Sequence, residues 1–143
     1  MPKKPKDKTK ISAKNIITAD IVTSNGRVYP LDCIKKINDS INNGTKKLTI
    51  EEVNPIERNL NNINPAVSWD KHAMADSVSS KIENNSLTVV FETRNTKQGK
   101  YLEEILKSAE NINYYPVGVG TCDANNRIKE YSISYVTFDL KKE

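Results

Sequence analysis

A chain of 143 residues is long enough for one compact domain with its own core and short for two of ordinary size. Hydrophobic residues make up 36% and charged ones 28%, and the apolar runs are only a few residues long, so no segment can cross a membrane as a helix. No apolar stretch follows the N-terminal lysines as a secretory signal requires, so a cytoplasmic start is expected.

The formal charge of +4 suggests nucleic acid until it is located. Residues 1–10 carry five lysines and one aspartate, which accounts for all of it, and the rest of the chain is neutral. Cys33 and Cys122 stand far apart with no C-x-x-C and no Cys/His cluster. Neither a disulfide framework nor a metal site is expected, and both read as buried thiols.

In chain order, residues 1–13 hold two prolines, five lysines and little that is apolar, the composition of a flexible basic arm. A single domain, 14–143, follows. Lys3, Lys4, Lys6, Lys8 and Lys10 could serve solubility alone, or could contact an acidic protein surface or nucleic acid. From Ile16 to Val22, Ile17, Ala19 and Ile21 alternate with polar residues as in a half-buried strand, and Ser24-Asn25-Gly26 supplies turn chemistry. A short strand then reaches Tyr29. Pro30 opens a helix whose apolar face is Leu31, Ile34, Ile37 and Ile41, with Gly44 at its C-terminal end.

Residues 51–71 contain Pro55, Pro65 and four asparagines between 59 and 64, which predicts a loop with one short helix and Trp69 as its packing anchor. Val78 and Ile82, then Leu87, Val89 and Phe91, flank Asn84-Asn85 and predict a β-hairpin, because asparagine tolerates the positive φ of tight turns. Thr96 can cap a helix over 97–111 with the face Leu102, Ile105, Leu106 and Ala109. A strand over 117–121, a turn over 123–126 and a long strand over 127–140 complete the chain. In the last strand the apolar phase changes between Tyr135 and Val136, which predicts a bulge. The fold class is α+β: a mainly antiparallel sheet or small barrel with two principal helices.

Three segments, in order, resemble the prohead maturation proteases of tailed phages, a family related in fold to the herpesvirus assemblin. Asn25-Gly26-Arg27-Val28-Tyr29-Pro30 is similar to that family's N-G-R-x-Y-P before its first helix. Thr93 to Lys100 (T-R-N-T-K-Q-G-K), with the helix after it, resembles D-T-x-x-G-K/R-x-L. Tyr115-Pro116-Val117-Gly118-Val119-Gly120-Thr121 is similar to the nucleophile segment S-[SP]-R-G-x-G-[ST].

The resemblance implies a prohead-protease-like fold over roughly 14–140. It also places the family's serine on Tyr115, its arginine on Val117 and its histidine within Glu51-Glu52-Val53-Asn54-Pro55, which has none. A nucleophile and its base act as a unit, so this reading expects no enzyme. His72 is the single histidine, with Cys122, Ser68, Ser77, Ser79 and Ser80 as conceivable partners. Cys122 lies seven residues past Tyr115, about 23 Å along a strand. Glu103/Glu104 reads as a solvated helix face, Glu51/Glu52 has no metal-ligand companion, and Gly118-Val119-Gly120 lacks the third glycine and helix of a dinucleotide loop, so no cofactor is expected.

The function expected from sequence is a non-catalytic, capsid-associated virion protein, auxiliary, decoration or minor. Its expected partners are the major capsid protein or other virion proteins, with the arm on packaged DNA or acidic protein surface and no membrane. The alternatives are an active prohead protease with a rearranged centre and a nucleic-acid-associated protein acting through the arm. Against the last, the body outside the arm carries no net charge.

Overall fold

The computed structural model describes residues 9–22, 26–52, 55–64, 67–108 and 112–140. Six strands form one sheet in the order β1-β4-β3-β2-β6-β5. They are β1 (Lys10–Thr18), β2 (Thr49–Glu51), β3 (Ala73–Glu83), β4 (Ser86–Thr93), β5 (Ile112–Cys122) and β6 (Ile128–Leu140). The helices are α1 (Leu31–Asn42), α2 (Pro55–Leu60) and α3 (Lys97–Ser108). All strand pairs are antiparallel except β2 with β6, which meet at Ile50 and Val136. The sheet curls until its edge strands β1 and β5 approach each other, giving an α+β half-barrel. No helix among the described residues is long and apolar enough to cross a membrane.

Helix α1 forms as its periodicity predicts. Pro30 precedes it with φ −66° and ψ 150°, and Ile34, Ile37 and Ile41 are buried. Each such side chain contributes roughly 1.5–3 kcal/mol by leaving water. Gly44 takes a positive φ just beyond the helix, where a Cβ would be strained. Thr96 caps α3, its Oγ1 accepting the Gly99 N–H at 3.1 Å. The helix ends at Ser108, short of the expected 111. Leu102 is fully buried, and Ala109 lies outside the described residues.

The β3–β4 hairpin turns on Asn84 and Asn85, with φ of 52° and 63°. These are the successive positive values a two-residue type I′ turn needs. Asn85→Val should therefore cost about 1–2 kcal/mol and Asn85→Gly close to nothing, as measured by urea unfolding.

The N-terminal expectations need correction. Strand β1 begins at Lys10, inside the segment read as an arm, because Ile11 and Ala13 are buried against β4. A bulge between Ala13 and Ile17, with Asn15 at φ 56°, then switches the phase and lets Ile16 and Ile17 both face the core. The strand stops at Thr18, and Ile21 and Val22 are exposed; isolated bridges join Val22 to Val28 and Val28 to Arg127. Lys3, Lys4, Lys6 and Lys8, and Ser24-Asn25 of the expected turn, lie outside the described residues.

At the other end of the chain, β5 starts at Ile112, well before the expected 117. Pro116 is tolerated there because β5 is an edge strand. The phase change in β6 is real: Val117 pairs Tyr135 but Gly118 pairs Ile133, leaving Ser134 as the extra residue. Tyr135, Val136 and Thr137 are consequently all buried. Gly118 sits at this irregularity, where a Cβ would fall 2.2 Å from the Ser132 carbonyl oxygen. The two cysteines differ from expectation in one respect: Cys33 is buried, but Cys122 is only partly so.

Candidate functional site

The strand registers bring six chain segments to one end of the sheet. Lys10 pairs Glu92, Ala75 pairs Thr93, Glu51 pairs Ala73 and Ile112 pairs Leu140. The start of β1, β3 and β5 and the end of β2, β4 and β6 therefore share that end. A cleft of about 420 Å³ opens there, lined by Glu52 after β2, Tyr101 and Ile105 of α3, Tyr115 of β5, and Thr137, Phe138 and Asp139 of β6. Tyr101 and Ile105 are one helical turn apart and so present a single edge of α3.

Tyr115 and Asp139 are diagonal neighbours across the β5–β6 pair, and their side chains are hydrogen bonded. Burial first, then the hydrogen bond and the carboxylate charge, push the Tyr115 phenol up to about 12. In Asp139→Asn the phenol should titrate closer to an ordinary tyrosine, read by NMR of the tyrosine ring carbons against pH. Because the folded value lies above the unfolded one, this tyrosine's contribution to stability is complete below pH ~10 and is lost as pH rises toward ~12.

The single histidine contacts the backbone of Glu52, a residue of the cleft lining. His72 closes a 3-10 turn (Asp70–His72) that leads into β3, and its Nδ1 lies 3.1 Å from the Glu52 carbonyl oxygen. A carbonyl only accepts, so this contact puts the proton on Nδ1. Its ring stands 4.4 Å from that of Trp69, over which Lys71 also lies.

Two clusters hold this turn in place. Glu51, fully buried, accepts hydrogen bonds from the Thr49 hydroxyl at 2.5 Å, the Trp69 N–H at 2.7 Å and the Ser68 hydroxyl. Arg94, just after β4, forms a two-pronged pair with Asp76 at 2.9 Å and reaches Asp70 at 2.8 Å. These two carboxylates hold the guanidinium above its usual range, against the opposing effect of partial burial.

The residues singled out in the sequence separate in space. Tyr115 lines the cleft, whereas Val117, at the bulge, does not. Lys10 is exposed at the start of β1. Cys122, at the far end of β5, pairs Ile128, so a Cys122/His72 dyad is ruled out by the length of the strand. Ser77 and Ser80 are engaged elsewhere, with the Leu48 N–H and with Asn38. Ser79 lies further along β3. Ser68, four residues before His72, shares the histidine's loop, and its hydroxyl donates to Glu51. Glu51, Arg94 and Asp139 were not anticipated. Arg94 stands in the T-R-N-T segment, but nothing in the sequence joins it to Asp70 and Asp76.

No family model and no curated protein matches this chain. Among solved structures, the chain is similar to the bacteriophage T4 capsid assembly protease gp21, with a TM-score of 0.70 at 18% identity over 96% of this chain and 90% of that one. The likeness establishes a prohead-protease-like fold. It also corrects the expectation that the chain is no enzyme, because the neighbouring structure is a protease. Motif positions count the side chains of one catalytic arrangement and carry no information about how the chain folds back on itself. In the fold His72 lies against the Glu52 carbonyl, within the segment that aligns with the family's histidine.

Proposed function

We propose that this chain acts in phage capsid assembly, binding an extended segment of the major capsid protein or another virion protein in the cleft between α3 and the β5–β6 pair. The observation that carries the reading is the cleft itself. It lies beside the segment that resembles the family's nucleophile strand, and it offers aromatic walls, Tyr101, Tyr115 and Phe138, with two carboxylates at hand. Such a surface suits a peptide, for which aromatic side chains give contact area and polar groups fix register. Residence on the capsid shell of the virion follows from the same reading.

A second reading, proteolysis of that segment by a rearranged centre, is favoured by the position of His72 at the Glu52 carbonyl with Ser68 in its loop. Co-expression of the full chain with the capsid precursor of its phage tests both. Binding predicts co-purification of the precursor, weakened about tenfold by Tyr101→Ala, a loss typical of a central aromatic contact. Proteolysis predicts in addition a new precursor N-terminus that disappears in His72→Ala. A precursor neither retained nor trimmed would overturn both.

A further inference from the structure

We infer that the segment held in the cleft presents a basic side chain, lysine or arginine, to a subsite formed by Thr137, Asp139 and Glu52. The inference rests on the peptide-binding reading of the cleft and names the chemistry its occupant must carry.

Strand geometry sets these groups together. Tyr115 and Thr137 are paired directly across β5 and β6, and Asp139 follows Thr137 by two residues. With a period of two, Thr137 and Asp139 share the face of Tyr115, whose phenol is hydrogen bonded to Asp139. Tyr114 and Phe138, in the other phase, pack against the core. On the far side of β6, the parallel strand β2 meets it at Ile50 and Val136, which brings Glu52, two residues on, into the same lining.

Thr137 carries the argument. It lines the cleft although it is only 7% exposed, and among the described residues its hydroxyl has no hydrogen-bond partner. A hydroxyl buried in this way has given up water without replacement, a cost that a ligand reaching it would recover. Its neighbours define that ligand. Asp139 and Glu52 supply carboxylate oxygens, the Tyr115 phenol is engaged with Asp139, and Thr137 adds an oxygen with free lone pairs. An ammonium or guanidinium group, made of donors alone, satisfies all of these oxygens, whereas an acidic side chain would be repelled by both carboxylates. The rings of Tyr101 and Tyr115 suit the cation and its aliphatic stem.

Overlapping peptides of the capsid precursor, arrayed and probed with the full chain, test this. The bound peptides should share a lysine or arginine, and replacing it with norleucine should weaken binding about tenfold or more, the loss expected for one charge-assisted hydrogen bond. T137V and D139N should weaken the parent peptide by a similar factor and leave the norleucine peptide unaffected. A structural role for the threonine is read separately by thermal unfolding without peptide. Because T137V removes a hydroxyl that has no partner, its melting temperature should equal or exceed that of the wild type. A lowered melting temperature, or peptide affinity unchanged in T137V, would overturn the inference. Peptides held equally well after the norleucine exchange would remove it while leaving the peptide-binding reading intact, and an array with no bound peptide would remove both.

Discussion

Replacing Gly99 with alanine should destabilise the protein by about 3 kcal/mol or more, although the same exchange inside an ordinary helix stabilises it by roughly 0.5–1 kcal/mol. A Cβ at this position would sit 1.8 Å from the Arg94 carbonyl oxygen and 2.7 Å from its carbon, both backbone atoms. Arg94 cannot retreat cheaply. Its N–H is bonded to the Met74 carbonyl at 2.8 Å, and its side chain is held by Asp76 and Asp70. The strain therefore falls on α3, which would have to lift away with Leu102, a fully buried core residue. Urea unfolding reads the effect, with Lys100→Ala as an exposed neighbour expected to stay within about 0.5 kcal/mol. A stabilised Gly99→Ala variant would show that α3 does not pack against Arg94 as described. The same clash gives a physical reason for the glycine in the T-R-N-T-K-Q-G-K segment.

Glu51→Ala should cost about 3–4 kcal/mol. The carboxyl is wholly buried and is the acceptor for two hydroxyls and the Trp69 N–H; the exposed Ser68 can turn to water, so the loss falls on the half-buried Thr49 and Trp69 donors, each costing on the order of 1–3 kcal/mol when left without a partner. Glu51→Gln keeps the shape but turns one acceptor into a donor facing other donors, so about half the loss should remain. Beyond global stability, the loop from Ser68 to His72 loses its anchor to β2. Hydrogen exchange at Trp69 and the ring resonances of His72 should report loosening in both variants, with β4 unaffected in Glu51→Gln. Protection unchanged around Trp69 would assign Glu51 no part in placing the histidine.

These two residues also mark where the sequence stops being readable. Local rules carried much of the fold: the isoleucine face of α1, Thr96 as a cap, the paired asparagines of the hairpin and the phase change in β6 each depend on neighbours within a few positions. The failures have a common cause in non-local contacts. Lysine density concealed Ile11 and Ala13, whose burial depends on β4, and the bulge at Asn15 made the alternation after it appear to be the whole strand. Pro116 argued against a strand that its edge position permits. Glu51 read as half of an unremarkable acidic pair, because its partners Ser68 and Trp69 arrive from 17 and 18 residues away. The expectation of no enzyme rested on motif positions alone, which carry no information about where the fold sets His72.

The cleft unites the functional account. Glu51 and Arg94 hold the turn that sets His72 against the Glu52 backbone, Gly99 lets α3 close one wall of the cleft, and Asp139 holds the Tyr115 phenol on another. None of this requires a basic body, which agrees with a protein whose net charge lies in residues 1–10.

The most direct test of the proposed role in capsid assembly is quantitative mass spectrometry of proheads and mature virions purified from cells in which this chain is made. The account predicts the chain in proheads at a fixed ratio to the capsid protein, with that ratio lowered by Tyr101→Ala. Its absence from both particles, in cells where it is made, would contradict a role in capsid assembly.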